Sequence, residues 1–369
     1  MRFPEFSGEW DITTIGEISN IKNGPFGSVL HAEDYVSDGI PIVTTEHFKS
    51  GSLPIVKDGI PQVSEQDYIR LKGYKLQTND IVFSRVGSVD INAYVSDTQN
   101  GWLFSGRVLR VRPISSVNSL CLHFVLSTEK VKQGIRSRAV GQTMPSINTP
   151  ILSTTNIFLP KSLEEQRKIS IFLALIDARL ETQKKIIEDL KKLKDAISKL
   201  LFRHRVGNEY SIGELCKSIA VKQYISIDVA IDGTYPIIQQ GESPVAGYTE
   251  SAPFFDYEKV VLFGDHTLSI YRPNVPFLLS TDGIKILRPN DLVLRDYLYY
   301  LLYAFMPKSE GYKRHYSILK DICVPVPDID TQKSIVEELL SVDSKIEIEA
   351  RFLELQIQQK EYLLNQMFI

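Results

Sequence analysis

No run of apolar residues in this chain approaches the roughly 18 to 20 that a membrane span requires. The N-terminus, MRFPEFSGEW, lacks the apolar core of a secretory leader. Cysteine is scarce: Cys121, Cys216 and Cys323 are far apart and odd in number, which indicates neither a disulfide framework nor a zinc knuckle. A reducing, cytoplasmic setting without a membrane partner is the expectation. There is no Walker A pattern and no strand-linked G-x-G-x-x-G, and the glycines at 241 and 247 read as parts of a loop. No Asn/Asp-Pro-Pro-Tyr/Phe stretch occurs of the kind with which amino-methyltransferases hold a flipped adenine. His31, His47, His123, His204, His266 and His315 have no metal-ligand spacing with cysteine or acidic partners. Asp328 and Asp330 beside Lys333 read as acids favoured at a helix N-terminus rather than as a nuclease site. No catalytic residue, metal ligand or cofactor is assigned to this chain, and it is not expected to be an enzyme.

What the chain has is a repeated helix. Residues 166–202 and 332–368 align without a gap at an offset of 166: Gln166 falls on Gln332, Ile169 on Ile335, Asp177 on Asp343, Leu180 on Ile346 and Phe202 on Phe368. Each copy follows a non-helical segment, so 369 residues divide into two heads and two helices. Net charge is only −3, against the overall basicity usual in non-specific nucleic-acid binders. Residues 166–203 nevertheless carry ten Lys/Arg against five Asp/Glu, a net of +5, and residues 332–369 four against seven, a net of −3. Opposite charge favours mutual attraction of the two helices.

Residues 1–158 read as strand-rich. Turn signals recur at Asn23-Gly24-Pro25, Asp38-Gly39, Asp58-Gly59, Asn79-Asp80 and Asn100-Gly101. The runs at 40–45, 80–85 and 107–111 between them read as strands, and 120–134 as one helix. Residues 206–325 repeat this style, with expected strands at 235–239, 259–263 and 283–287 and a helix at 294–305. Ile15-Gly16-Glu17 is echoed by Ile212-Gly213-Glu214, and Leu159-Pro160 by Val326-Pro327. The expected organisation is a first recognition domain at 1–158, a first spacer helix at 159–205, a second domain at 206–325 and a second helix at 326–369.

Apolar residues follow 3-4 spacing in both helices, interrupted by Gln183 and Lys194 in the first and Glu349, Gln356 and Lys360 in the second. Antiparallel pairing sets Lys194 against Glu349 when Gln183 meets Lys360. Parallel pairing sets Lys194 against Lys360, which is unfavourable. An antiparallel pair of about 35 residues makes a rod of roughly 50 Å, with heads at opposite ends, long enough to straddle a DNA turn of about 34 Å.

These residues together resemble the DNA-specificity subunit of Type I restriction–modification enzymes, and the resemblance spans the chain. It is carried by Leu159-Pro160 with Glu165-Gln166 and Ile169, repeated as Val326-Pro327 with Thr331-Gln332 and Ile335. GQTMPSI at 141–147 precedes the first helix; Arg314-His315-Tyr316 and Leu319-Lys320-Asp321-Ile322 precede the second. Asn79-Asp80-Ile81 through Ser84-Arg85-Val86-Gly87-Ser88, the FGDHT run at 263–267 and the TDGIK run at 281–285 complete it. The resemblance implies an α+β fold in which two mixed α/β target-recognition domains are joined by two long conserved helices. Those helices form an antiparallel, pseudo-twofold intramolecular coiled coil. It also implies a bipartite double-stranded DNA site, docking of two methyltransferase subunits, and motor–nuclease subunits for restriction. By the same resemblance, S-adenosylmethionine, ATP and Mg²⁺ are expected on those partners. The alternative is a coiled-coil scaffold joining two protein-binding modules, with no sequence-selective DNA binding.

Base edges are read by paired donors and acceptors, and phosphates are gripped by Lys and Arg. In the first domain the candidates are Lys132, Arg136 and Arg138 leading into Gln142, Ser146 and Asn148, with Thr45, His47 and Arg85 on strand ends or loops. In the second they are the cluster Lys313, Arg314, His315 and Tyr316, the loop residues Gln239, Gln240 and Tyr248, and His266. Asp265-His266-Thr267 reads as a turn that shapes or contacts DNA rather than as a catalytic triple. Gln183, Lys194, Glu349 and Lys360 are the expected helix-pair contacts.

Overall fold

The structure, a computed structural model, describes residues 2–25, 30–203, 207–309, 311 and 313–368. Residues 204–206, where the sequence places the junction of first helix and second domain, lie outside the described residues. The chain forms two compact units, 1–182 with 353–369, and 183–352.

In unit one, β1 (Asp11–Thr14) runs into a reciprocal cap: Glu17 N donates to the Thr14 hydroxyl, and Thr14 N to the Glu17 carboxylate. This starts the single turn α1 (Ile15–Ile18). There follow β2 (Ser19–Asn23), β3 (Tyr35–Val36), β4 (Ile40–Val43), β5 (Gln62–Val63), α2 (Glu65–Arg70), β6 (Ile81–Ser84), β7 (Asn92–Tyr94), β8 (Leu103–Phe104) and β9 (Val108–Pro113). Then come α3 (Ser119–Leu126), α4 (Glu129–Arg136), α5 (Thr149–Ser153), β10 (Asn156–Leu159) and the long α6 (Leu163–Arg203). One sheet has the order β2-β9-β6-β7, a second β3-β5-β4-β8, and β1 pairs with β10. Strand alternation explains the layering. Ile81 and Phe83 of β6 join a core with α3 and with Ile169, Leu173, Leu364 and Phe368 of the long helices, while Val82 faces a second core with Val43, Phe48 and Phe104. Each such fully buried side chain contributes about 1.5–3 kcal/mol.

Unit two repeats the plan with β11 (Asn208–Ser211), α7 (Ile212–Leu215), β12 (Cys216–Ile219), β13 (Tyr235–Ile238), β14 (Val245–Thr249), β15 (Val261–Gly264), β16 (Ile270–Tyr271), β17 (Leu278–Leu279) and β18 (Ile284–Pro289). They are followed by α8 (Arg295–Ala304), α9 (Tyr316–Leu319), β19 (Cys323–Val326) and the long α10 (Ile329–Met367). Sheet orders are β12-β18-β15-β16 and β14-β13-β17. Val261 and Phe263 face α8 and the long helices, and Leu262 faces the other way.

The glutamine that opens each repeated helix is a buried clamp. Gln166 is 2% exposed; its Oε1 accepts from Asn118 N at the head of α3 (2.7 Å) and its Nε2 donates to the Pro160 carbonyl (2.7 Å). Gln332 is 0% exposed and does the same with Leu294 N at the head of α8 (2.9 Å) and with the carbonyls of Pro327 (3.0 Å) and Leu292 (2.8 Å). An unsatisfied N–H at a helix head is thereby paired by the neighbouring helix. One expected element is corrected: the helix over 120–134 is two, α3 and α4. The hydroxyls of Ser127 and Thr128 donate back to the carbonyls of His123 (2.9 Å) and Val125 (2.7 Å), which competes with helix continuation.

Candidate nucleic-acid interface

In unit two the sheet ends in a turn that gathers distant segments around one buried carboxylate. Asp265, 1% exposed, follows β15; its Oδ1 accepts from Tyr316 N (2.7 Å), its carbonyl accepts from His315 N (2.9 Å), and its N donates to the Gly283 carbonyl (2.8 Å). Lys285 Nζ stands 3.8 Å from Asp265 Oδ2. The next residue, His266, donates its N–H to Gln240 Oε1 (3.0 Å), and its Nδ1 lies 3.2 Å from the Lys313 carbonyl oxygen. Gly283 makes room for Gln240, since a Cβ there would sit 2.3 Å from its Nε2. The loop carrying Gln239 is closed by Gln239 N to the Pro244 carbonyl (2.7 Å) and by its amide to the Ser243 carbonyl (3.0 Å). The result is one edge presenting Gln240, His266, Lys313 and Arg314, with exposed Arg314 beside Asp282 at 3.6 Å. Tyr248 is half-buried in β14, where its backbone pairs with Ala230.

One candidate is corrected. His315 is 0% exposed, with Nδ1 3.0 Å from the Asp265 carbonyl oxygen, so it locks the edge from below and cannot reach a base. Tyr316 is half-buried, its ring 6.3 Å from Phe263, and burial pushes its hydroxyl up to about 12. Basic-aromatic composition drew attention to this run, and only packing separates its outward from its inward residues. Asp265 is the organising residue that composition ranked too low.

Unit one builds its counterpart with other residues. Arg85 follows β6 as Asp265 follows β15: its carbonyl accepts from Ile147 N (2.9 Å) and its N donates to the Arg107 carbonyl (3.0 Å). Ile147, 2% exposed, thus occupies the role of His315, which explains why that position must be buried. Arg85 Nη1 donates to the Gly106 carbonyl (3.2 Å). Beside it lies a cleft of about 480 Å³ lined by Tyr35, Thr44, Thr45, Glu46, Ser105 and Arg107, among others. His47 Nδ1 accepts from Thr44 N (3.1 Å), and burial lowers its pKa below the usual histidine value. Exposed Arg107 on this rim was not singled out from sequence; the Ser105-Gly106 turn before it was the available signal.

The basic helix end is largely occupied by its own unit. Arg136 pairs with Asp90 and Glu129. Arg138 donates to the Gly134 carbonyl (2.9 Å) and to the hydroxyls of Thr154 and Thr155. Lys132 is half-buried, and Gln142 is exposed on the turn closed by the Val140–Ser146 bridge. Asn148 spends its side-chain oxygen capping α5, accepting from Ile151 N (2.9 Å).

Between the long helices, the four expected residues all make contacts, with changed partners. In unit two Gln183 Nε2 donates to Glu349 Oε2 (2.5 Å), and Lys194 Nζ pairs with Asp343 Oδ1 (2.6 Å) rather than with Glu349. In unit one Lys360 pairs with Asp177 rather than with Gln183. Phe368, near the end of the second long helix, packs on Trp10 (5.7 Å) in unit one, and Phe202, near the end of the first, packs on Tyr297 of α8 (5.5 Å) in unit two.

Comparisons with known proteins agree with this plan. The family model of the Type I restriction modification DNA specificity domain matches residues 7–192 and 207–359. A Methanocaldococcus jannaschii chain provisionally named the type I restriction enzyme MjaX specificity subunit is 26% identical over 410 residues, covering 98% of this chain and 93% of that one. The crystal structure of the type I restriction–modification S subunit from M. genitalium has a TM-score of 0.60 at 17% identity, over 100% of this chain and 99% of that one. A chain from a structure concerned with complex assembly and conformational transition of the type I R-M system gives 0.58 at 16%, over 98% of both. Identities this low in the solved structures show a shared fold of mixed helix and sheet. Among the described residues no helix is long and apolar enough to cross a membrane. The chain therefore belongs to the Type I restriction–modification DNA specificity family, as a specificity subunit and not a catalytic one.

Proposed function

We propose that this chain reads a bipartite double-stranded DNA site. One half is read by the edge around Thr45, Arg85, Arg107 and Gln142, the other by the edge around Gln240, His266, Lys313 and Arg314. The observation that carries the proposal is the repeated turn-and-clamp plan: in each unit a turn beyond the central strand binds the lead-in of a short helix, and polar side chains from distant segments share one edge. The recognition domains are 1–158 and 206–325, and the helices at 159–205 and 326–369 pair antiparallel as a pseudo-twofold spacer. Its support is numerical: Gln183 and Glu349 are equivalent positions (183 + 166 = 349) and meet each other. The helices dock two methyltransferase subunits and, for restriction, motor–nuclease subunits. S-adenosylmethionine, ATP and Mg²⁺ are used by those partners, in the cytoplasm.

Single-molecule methylome sequencing of cells with and without the gene tests the proposal. A split adenine motif should vanish on deletion; its persistence sinks the reading. The scaffold alternative is favoured instead if no reconstituted complex gives a sequence-selective footprint.

A further inference from the structure

We infer that two charge–aromatic joints, one in each unit, are positioning devices that fix the rotation of each recognition domain about its stretch of the long helices. The inference rests on the DNA-reading proposal above. In unit two, Lys194 of α6 is only 8% exposed and pairs with Asp343 of α10 at 2.6 Å. The other oxygen of Asp343 accepts from the Tyr300 hydroxyl of α8 (2.6 Å), and the Lys194 ammonium lies 5.5 Å from the Tyr300 ring. One carboxylate therefore ties three helices. In unit one, Lys360 pairs with Asp177 and lies 5.9 Å from the ring of Phe124 in α3.

The two joints share one layout, although the aromatic ring of unit one has no hydroxyl to bind its carboxylate and its ion pair is more exposed. The offset of 166 carries Lys194 to Lys360 (194 + 166) and Asp177 to Asp343 (177 + 166), so the two repeats exchange roles. Phe124 and Tyr300 each stand six residues beyond the backbone N–H held by the helix glutamine (118 + 6 and 294 + 6).

Apolar packing of α3 or α8 on the long helices is non-directional and tolerates rolling. The glutamine clamp fixes one end of the domain helix. In unit two a second, directional attachment along the same helix, the Tyr300 hydroxyl on Asp343, removes the remaining rotation; in unit one the Lys360 ammonium beside the Phe124 ring is its counterpart. Burying a charged pair is no route to stability, because desolvation offsets its Coulomb attraction and apolar replacements are often as stable or more so. What such a group supplies is register, as a polar residue does in a coiled-coil seam. The joints therefore set how each reading edge meets its half-site.

The test uses the methyltransferase complex reconstituted with Lys194→Leu/Asp343→Leu/Tyr300→Phe, which removes the joint without leaving a lone buried charge. A milder variant, Tyr300→Phe, accompanies it. The wild-type complex must first methylate a split motif; if it does not, the DNA-reading proposal itself has failed. The expected result for the triple variant is an unchanged or raised melting temperature. Methylation at the native site falls about tenfold or more, as misplacement of distant groups does. Discrimination relaxes at one half-site, or a spacer one base pair longer or shorter is accepted, while the other half-site is read as before. Tyr300→Phe should shift the same readouts less. A variant that melts like the wild type and keeps motif and spacer overturns the inference. So does one that melts lower and loses both half-sites together.

Discussion

His123 is buried in α3, its Nδ1 2.6 Å from Asn92 Oδ1, and burial, with the charges of Lys360 and Lys132, holds its pKa down to about 3. A base depressed on folding stabilises fully above its unfolded value near 6.5 and loses that contribution as pH falls toward the folded value. Between pH 6.5 and 5 the loss should be about 2 kcal/mol. Urea midpoints measured across that range should fall in the wild type and flatten in His123→Gln. Gln356 makes the opposite case. It is 5% exposed between the long helices with neither amide atom hydrogen-bonded, and the equivalent position of the other repeat is Leu190 (356 − 166). An unpartnered buried amide costs about 1–3 kcal/mol, so Gln356→Leu should raise the melting temperature. Sequence marked Gln356 as a polar break; that both of its groups go unanswered depends on which side chains face it.

The long helices were legible as elements because 3-4 spacing and repeated end signals extend over more than thirty residues. The role of their opening glutamines was not, since it depends on where the heads of α3 and α8 arrive. Gln332→Ala should destabilise unit two by about 2–3 kcal/mol in chemical unfolding, leaving Leu294 N–H unpaired, and Gln166→Ala should do the same for unit one. The edge before α9 divides just as clearly. Arg314→Ala should weaken DNA binding in the complex and lower the salt slope by about one, with melting unchanged. His315→Ala should lower the melting temperature. If instead Arg314→Ala leaves binding and its salt dependence intact, the edge does not face phosphate.

For the whole molecule, the proposed reading makes the two repeats separable in function. Replacing residues 206–325 with a different domain of the same family should change one half of the methylated motif and leave the other half as it was. A change in both halves would contradict independent reading. The gapless 166-residue offset determined by itself that the chain carries two copies of one long helix, each preceded by its own segment, because a repeat is written directly in residue order. Only the tertiary structure decided that His315 faces inward and Arg314 outward, that Asp265 holds the edge, and that Lys194 meets Asp343. Burial, hydrogen-bond partnership and helix register depend on segments far apart in the chain, and residue order alone does not say which of them meet.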